Sequence, residues 1–171
     1  MIEETVLDIL NEYKVKEPPV PVDEIAQKCG INIGRAPSDD FSGFLLRKAD
    51  NSFIGVNSND SHPRQRFTIA HELGHYFLHK TKKAFVDYPG TNAEIAFRDN
   101  KHNLVRTRSE IEANKFAAAL LMPAKHLLED FSLLRKEELM HLDEKISYLA
   151  ERYKVSREAM TYRLIDLKLS A

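Results

Sequence analysis

The sequence predicts an α+β fold: a small β-sheet, one helix loaded with polar residues, and a helical C-terminal region. Three observations carry this. FSGFLLR (41–47) and SFIGVNS (52–58) are short strand-like runs on either side of KADN, a turn-like stretch, which together read as a β-hairpin. FTIAHELGHYFLH (67–79) sets three histidines and a glutamate among Phe67, Ile69, Leu73, Phe77 and Leu78. Beyond residue 109 the apolar positions recur mostly at helical spacing.

Taken in order, Ile2, Val6, Ile9, Leu10 and Tyr13 predict an opening helix, which KEPPVPV (16–22) breaks. Asp23 to Cys29 reads as a short helix closed by Gly30. Ile31 and Ile33 alternate with polar residues, as in a strand, and the hairpin follows. Pro63 suits the first turn of the next helix. After Lys83 the pattern weakens, with one or two short strands expected around Glu94 to Arg98. Ser109 to Met122 is a helix with Ile111, Phe116, Ala117, Leu120 and Leu121 as apolar members, ended by Pro123. Asp143 to Tyr153, then KVS, then Arg157 to Leu167 reads helix, turn, helix.

A chain of 171 residues can bury a real core. Its net charge of −1 argues against a broad basic surface for nucleic acid. Cys29 is the only cysteine, so no internal disulfide forms, and a reducing, cytoplasmic setting is the simplest fit. The acidic, amphipathic MIEETVLDILNEYKV lacks the features of a secretory signal. The longest apolar run, FAAALLMPA (116–124), is far too short to span a bilayer.

His71 and His75 sit at i and i+4, one turn apart on one helix face. From there two imidazoles can reach one metal ion. Glu72 follows His71 and is offset by about 100° around the helix. It lies beside the metal, where it can take a proton from an attacking water. This is the H-E-x-x-H logic of zinc peptidases: two ligands and one general base on one turn. Gly74 costs about 1 kcal/mol against Ala in a helix, which makes sense if another backbone passes close, as a sheet lying on this helix would. His79 is roughly 12 Å along the axis from His71, too far for a shared ion, and the longer metzincin spacing is absent because position 81 is Thr81. Packing, or a polar bond to a neighbouring loop, is its expected role.

A catalytic zinc takes three protein ligands, so a third must come from elsewhere. SEIEANKFAAALLMP (109–123) offers Glu110 and Glu112. Ser109-x-x-Glu112 matches a capping box, which accounts for Glu112. Glu110 has no such role and shares a face with Asn114, a side chain able to orient His71 or His75. Glu110 is therefore preferred. The ligand types suit Zn²⁺ and also admit Mn²⁺.

HELGHYFLH with its lead-in RQRFTIAHELGH, followed by EIEANKFAAALLMP, resembles the ImmA/IrrE family of metallopeptidases. PVPVDEIAQKCGI, GVNSNDSHPRQRFTIAHE and VSREAMTYRLIDLKL are also similar, so nearly the whole chain is included. The resemblance implies a compact α+β domain of gluzincin type, with a metal on His71, His75 and Glu110 and with Glu72 as base. It implies the minimal, single-domain form, without the sensory domain of the radiation-response members. Many members belong to phages, mobile elements or stress-response loci and inactivate a helix-turn-helix repressor, by cleavage where that is established.

The expected organisation is a metallopeptidase domain over 1–130 and a C-terminal helical region over 131–171. ISYLAERYKVSREAMTYRLIDLKL is similar to a DNA-reading helix-turn-helix, with Ser156 capping the second helix and Arg157 and Arg163 on it. Packing on the catalytic domain or gripping a protein partner is preferred, because the charges are mixed and DNA binding needs several phosphate contacts. Only weak, non-specific DNA binding is expected. The expected activity is a cytoplasmic endopeptidase acting on a helix-turn-helix repressor, with Tyr88, Arg98 and His102 as candidate oxyanion donors. SFIGVNS is expected to offer an edge strand for an extended substrate. The rivals are a non-catalytic binding module paired with a repressor or antitoxin, a toxin with a non-protein target, and a DNA-binding regulator. An intact Glu72 favours catalysis, since a binding module has no use for a base.

Overall fold

Val6, Ile9 and Leu10 fall on one helical face, and they are the buried residues of α1 (Ile2–Glu12) in a computed structural model. It describes residues 2–47, 51–80, 84–87 (backbone only), 108–135 and 140–169. A second helix, α2 (Val22–Lys28), buries Val22, Ile25 and Ala26, and Gly30 beyond it has φ +72°. That is a left-handed conformation that glycine adopts without steric cost.

The next segments form a four-stranded sheet of β1 (Ile31–Ala36), β2 (Gly43–Leu46), β3 (Ser52–Asn57) and β4 (Ala84–Asp87). The strand order is β1-β3-β2-β4. The hairpin is present, with Leu45 opposite Ile54 and Gly43 opposite Val56. β1 runs parallel to β3, and β4 runs antiparallel to β2. The SFIGVNS strand is thus internal, hydrogen-bonded on both sides, and is not the edge strand expected for substrate docking. Both of its ladders are used by the chain itself. The segment around Glu94 to Arg98 lies outside the described residues.

Helix α3 (His62–Leu78) carries the histidines, and Pro63 stands in its first turn. All eight residues from Thr68 to His75 are buried, so the helix is enclosed on every side rather than on one stripe. The sheet encloses it on one side: a Cβ on Gly43 of β2 would lie 2.2 Å from the Thr68 methyl. Helix α4 (Arg108–Leu121) encloses it on another. A Cβ on Gly74 would lie 3.0 Å from Ala113 Cα, 3.1 Å from Ala113 O and 3.2 Å from Phe116 Cβ. The close neighbour of Gly74 is therefore the α4 backbone, not the sheet. Two helices can approach this nearly only where one lacks a side chain.

The remaining helices are α5 (Ala124–Leu134), α6 (Leu142–Tyr153) and α7 (Arg157–Asp166). Lys154 takes the left-handed C-cap of α6, and Ser156 Oγ accepts from Ala159 N at the start of α7. Arg152 Nε and the Tyr153 hydroxyl both donate to Asp130 of α5, at 2.8 and 2.9 Å. Buried apolar residues from Val6 to Leu164 form one continuous core.

Candidate metal centre

Helix α3 supplies two imidazoles because His71 and His75 are one turn apart, and the enclosure of that turn leaves them 3 % and 1 % exposed. Helix α4 crosses it at Gly74 and brings Glu110 to the same point. His71 Nε2 and His75 Nε2 are 3.0 Å apart. Glu110 reaches them with one oxygen each, Oε2 at 3.2 Å from His71 and Oε1 at 3.4 Å from His75. Donor atoms about 2 Å from a tetrahedral ion stand about 3.3 Å from one another. Two imidazole nitrogens and a carboxylate at this spacing could hold a divalent ion.

The electrostatics favour the ligating forms. Burial pushes the His75 pKa below its ordinary value, which favours the neutral ring a metal requires. Burial alone would raise Glu110, but hydrogen bonds from His71 and His75 outweigh it and hold the carboxyl well below the usual range. Glu110 also stands in the first turn of α4, where the helix dipole favours an anion.

His71 Nδ1 lies 2.9 Å from Asn114 Oδ1. An amide oxygen only accepts, so Nδ1 carries the proton and Nε2 keeps its lone pair for the site. Glu72 is 0 % exposed. Tyr88, Arg98 and His102 lie outside the described residues.

Two sequence expectations change. Helix α4 already includes Arg108, so Ser109 is inside it and cannot be its N-cap. Glu112 is instead 2.8 Å from Arg108 Nε and 3.1 Å from His79 Nε2. Among the described residues the polar partners of His79 are on helices: besides Glu112, its Nδ1 is 3.1 Å from His75 Nδ1. The i+4 spacing of His79 from His75 was the available signal. Its meaning depends on which helix lies opposite, and local spacing does not carry that. Arg47, just beyond β2, donates to the carbonyls of His75 and Tyr76 at 3.1 and 3.0 Å in the last turn of α3, where carbonyls run short of helical partners; that of His75 also accepts from His79 N.

Arg163, one of the two arginines noted on the second tail helix, is 5 % exposed. It donates to Met122 O at 3.1 Å, to Glu3 at 2.8 Å and to Asp166 at 3.2 Å. It joins α7 to α1 and to the end of α4 and is not presented to an outside ligand.

Comparison with known proteins agrees with this geometry. The profile of the IrrE N-terminal-like domain, a peptidase family, matches residues 26–165. Metallopeptidase ImmA of Bacillus subtilis (strain 168) is 31% identical over 129 residues, covering 73% of this chain and 68% of that protein. An uncharacterised immunity region protein 2 of Bacillus phage phi105 is 29% identical over 126 residues, covering 72% and 69%. A Mycobacterium tuberculosis transcriptional regulator of known structure shares the fold with a TM-score of 0.61 at 17% identity. The likeness covers 95% of this chain but 46% of that one. The family and the His-His-Glu cluster together imply a divalent metal. On the extent of the matched sequence and on relatives of this kind, the chain belongs to the ImmA/IrrE family of metallopeptidases.

Proposed function

We propose that this protein is a zinc-dependent endopeptidase whose substrate is a helix-turn-helix transcriptional repressor. The observation that supports the chemistry is the convergence of His71, His75 and Glu110 within 4.8 Å on the helix turn that carries Glu72. His71, His75 and Glu110 would hold the ion. When bound, it would supply Lewis acidity toward the scissile carbonyl and make water a better nucleophile near neutral pH.

The chain's own residues do the rest. Glu72 accepts the proton of the attacking water and delivers it to the leaving amine. Asn114 holds the His71 ring in the tautomer that faces Nε2 inward. Enclosure of α3 by sheet and helix buries both imidazoles and keeps the two rings from turning, while Glu110 stays partly exposed on the side from which water and substrate would arrive. Tyr88, Arg98 and His102 are the candidates that the sequence offers for a donor to the developing oxyanion. A cytoplasmic site of action is part of this reading, supported by a single cysteine. Among the described residues no helix is long and apolar enough to cross a membrane.

The choice of a repressor as substrate is supported by the family resemblance and by the phage relative, whose name places it in an immunity region. The test is co-expression of the wild-type chain and Glu72→Gln with the adjacently encoded regulator, followed by mass spectrometry of the regulator. A discrete cut made only by the wild type is the expected result. Equal neutralisation by both forms without a cut would instead establish a binding module.

A further inference from the structure

We propose that His79 and Glu112 are positioning residues for the metal centre, acting in series to set the tautomer of His75. The proposal rests on the reading of His71, His75 and Glu110 as ligands. Its argument begins at the far end of the chain of contacts. Glu112 lies one turn along α4 from Arg108, which pairs with it at 2.8 Å. An ionised carboxylate only accepts hydrogen bonds. His79 Nε2, 3.1 Å from Glu112 Oε2, must therefore be the nitrogen that carries a proton.

In a neutral His79, Nδ1 is then an acceptor. It faces His75 Nδ1 at 3.1 Å, so that nitrogen of His75 carries the proton. His75 Nε2 is left with its lone pair directed at Glu110 Oε1 and His71 Nε2. One acceptor on α4 thus dictates, through an intervening imidazole, which nitrogen of His75 is free to ligate. Asn114 performs the same task for His71 directly. Helix α4 therefore supplies a ligand and the tautomer-setting group for each histidine. His75 needs the intermediary because Glu112 bonds His79 and His79 bonds His75. Groups that fix ligand tautomers typically change metal affinity by 10–100-fold.

The test is Zn²⁺ affinity of the full chain, measured by competition with a chromophoric chelator, with thermal melting as a check on folding. His79→Phe and Glu112→Leu are each expected to weaken binding by about 10-fold or more. The double variant should lose no more than the weaker-binding single, because groups in series are not additive. His79→Gln should recover much of the affinity, since one amide can accept from His75 and donate to Glu112. If both singles bind within threefold of wild type, if their losses add, or if Gln is no better than Phe at position 79, the proposal is wrong. Should His79→Phe fail to fold, Glu112→Leu and His79→Gln still decide it. Wild-type protein that binds no divalent ion would overturn the metal reading itself, and this proposal with it.

Discussion

Glu72 and Glu110 are both acids beside histidines, yet the fold treats them differently. Glu110 lies against both imidazoles and is held ionised, as a ligand must be. Glu72 is fully buried on α3, the helix that carries both imidazoles, and proton transfer is its proposed role. One divalent ion per chain is expected by elemental analysis. It should be lost in His71→Ala, His75→Ala and Glu110→Ala and kept in Glu72→Gln. Glu112→Ala should still load at saturating metal; if it is the variant that loses the ion while Glu110→Ala stays full, the ligand assignment is wrong. General-base catalysis contributes about 10² to 10⁴ in rate. Glu72→Gln should therefore lower the cleavage rate of the wild-type substrate by that range, with melting temperature nearly unchanged.

The pairing of α3 with α4 is what assembles the site, and Gly74 permits it. Alanine is the better helix former by about 1 kcal/mol, so propensity alone says that Gly74→Ala stabilises. The new methyl would meet the Ala113 backbone at 3.0 Å, and backbone in a packed helix does not yield as a flexible side chain does. Overpacking of this kind costs typically 1–3 kcal/mol. A net loss of about 1–2 kcal/mol is expected from the urea midpoint, together with weaker metal binding as α4 and Glu110 are displaced. An unchanged or raised midpoint would show that α4 is free to move. The sheet side is held separately by Arg47, which bonds the carbonyls at the end of α3 and lies 4.8 Å from the Tyr76 ring centroid.

Across the whole molecule the tail helices share one core with α1 and α4, and Arg163 is the polar counterpart of that packing. Its removal leaves Met122 O and Glu3 without this partner. Arg163→Leu is expected to destabilise by roughly 1–3 kcal/mol in denaturant unfolding. Arg157 is exposed, with a 3.8 Å contact to Asp143 as its ion pair among the described residues, so Arg157→Ala should leave stability unchanged within about 0.5 kcal/mol. Duplex DNA affinity should be weak and fall steeply with salt. Tight binding that persists at physiological salt and disappears in Arg157→Ala would reassign this face to DNA.

Much of this was legible in one dimension, because the information is local. Apolar spacing marks α1, α3 and α6. The turn-like composition of KADN between two strand-like runs marks the β2–β3 pair. The His71, Glu72 and His75 spacing marks a metal turn, since 3.6 residues per turn bring i and i+4 together in any helix. Glu110 was reachable because it and Asn114 share a face for the same reason. What only the tertiary structure decided is which surfaces meet. β1 and β4 flank the hairpin and make β3 internal. The backbone above Gly74 belongs to a helix. Glu112 turns from the supposed cap to His79, and Arg163 turns inward. Strand order and helix contacts depend on residues far apart in the chain, and periodicity specifies the face an element buries but not the partner that covers it.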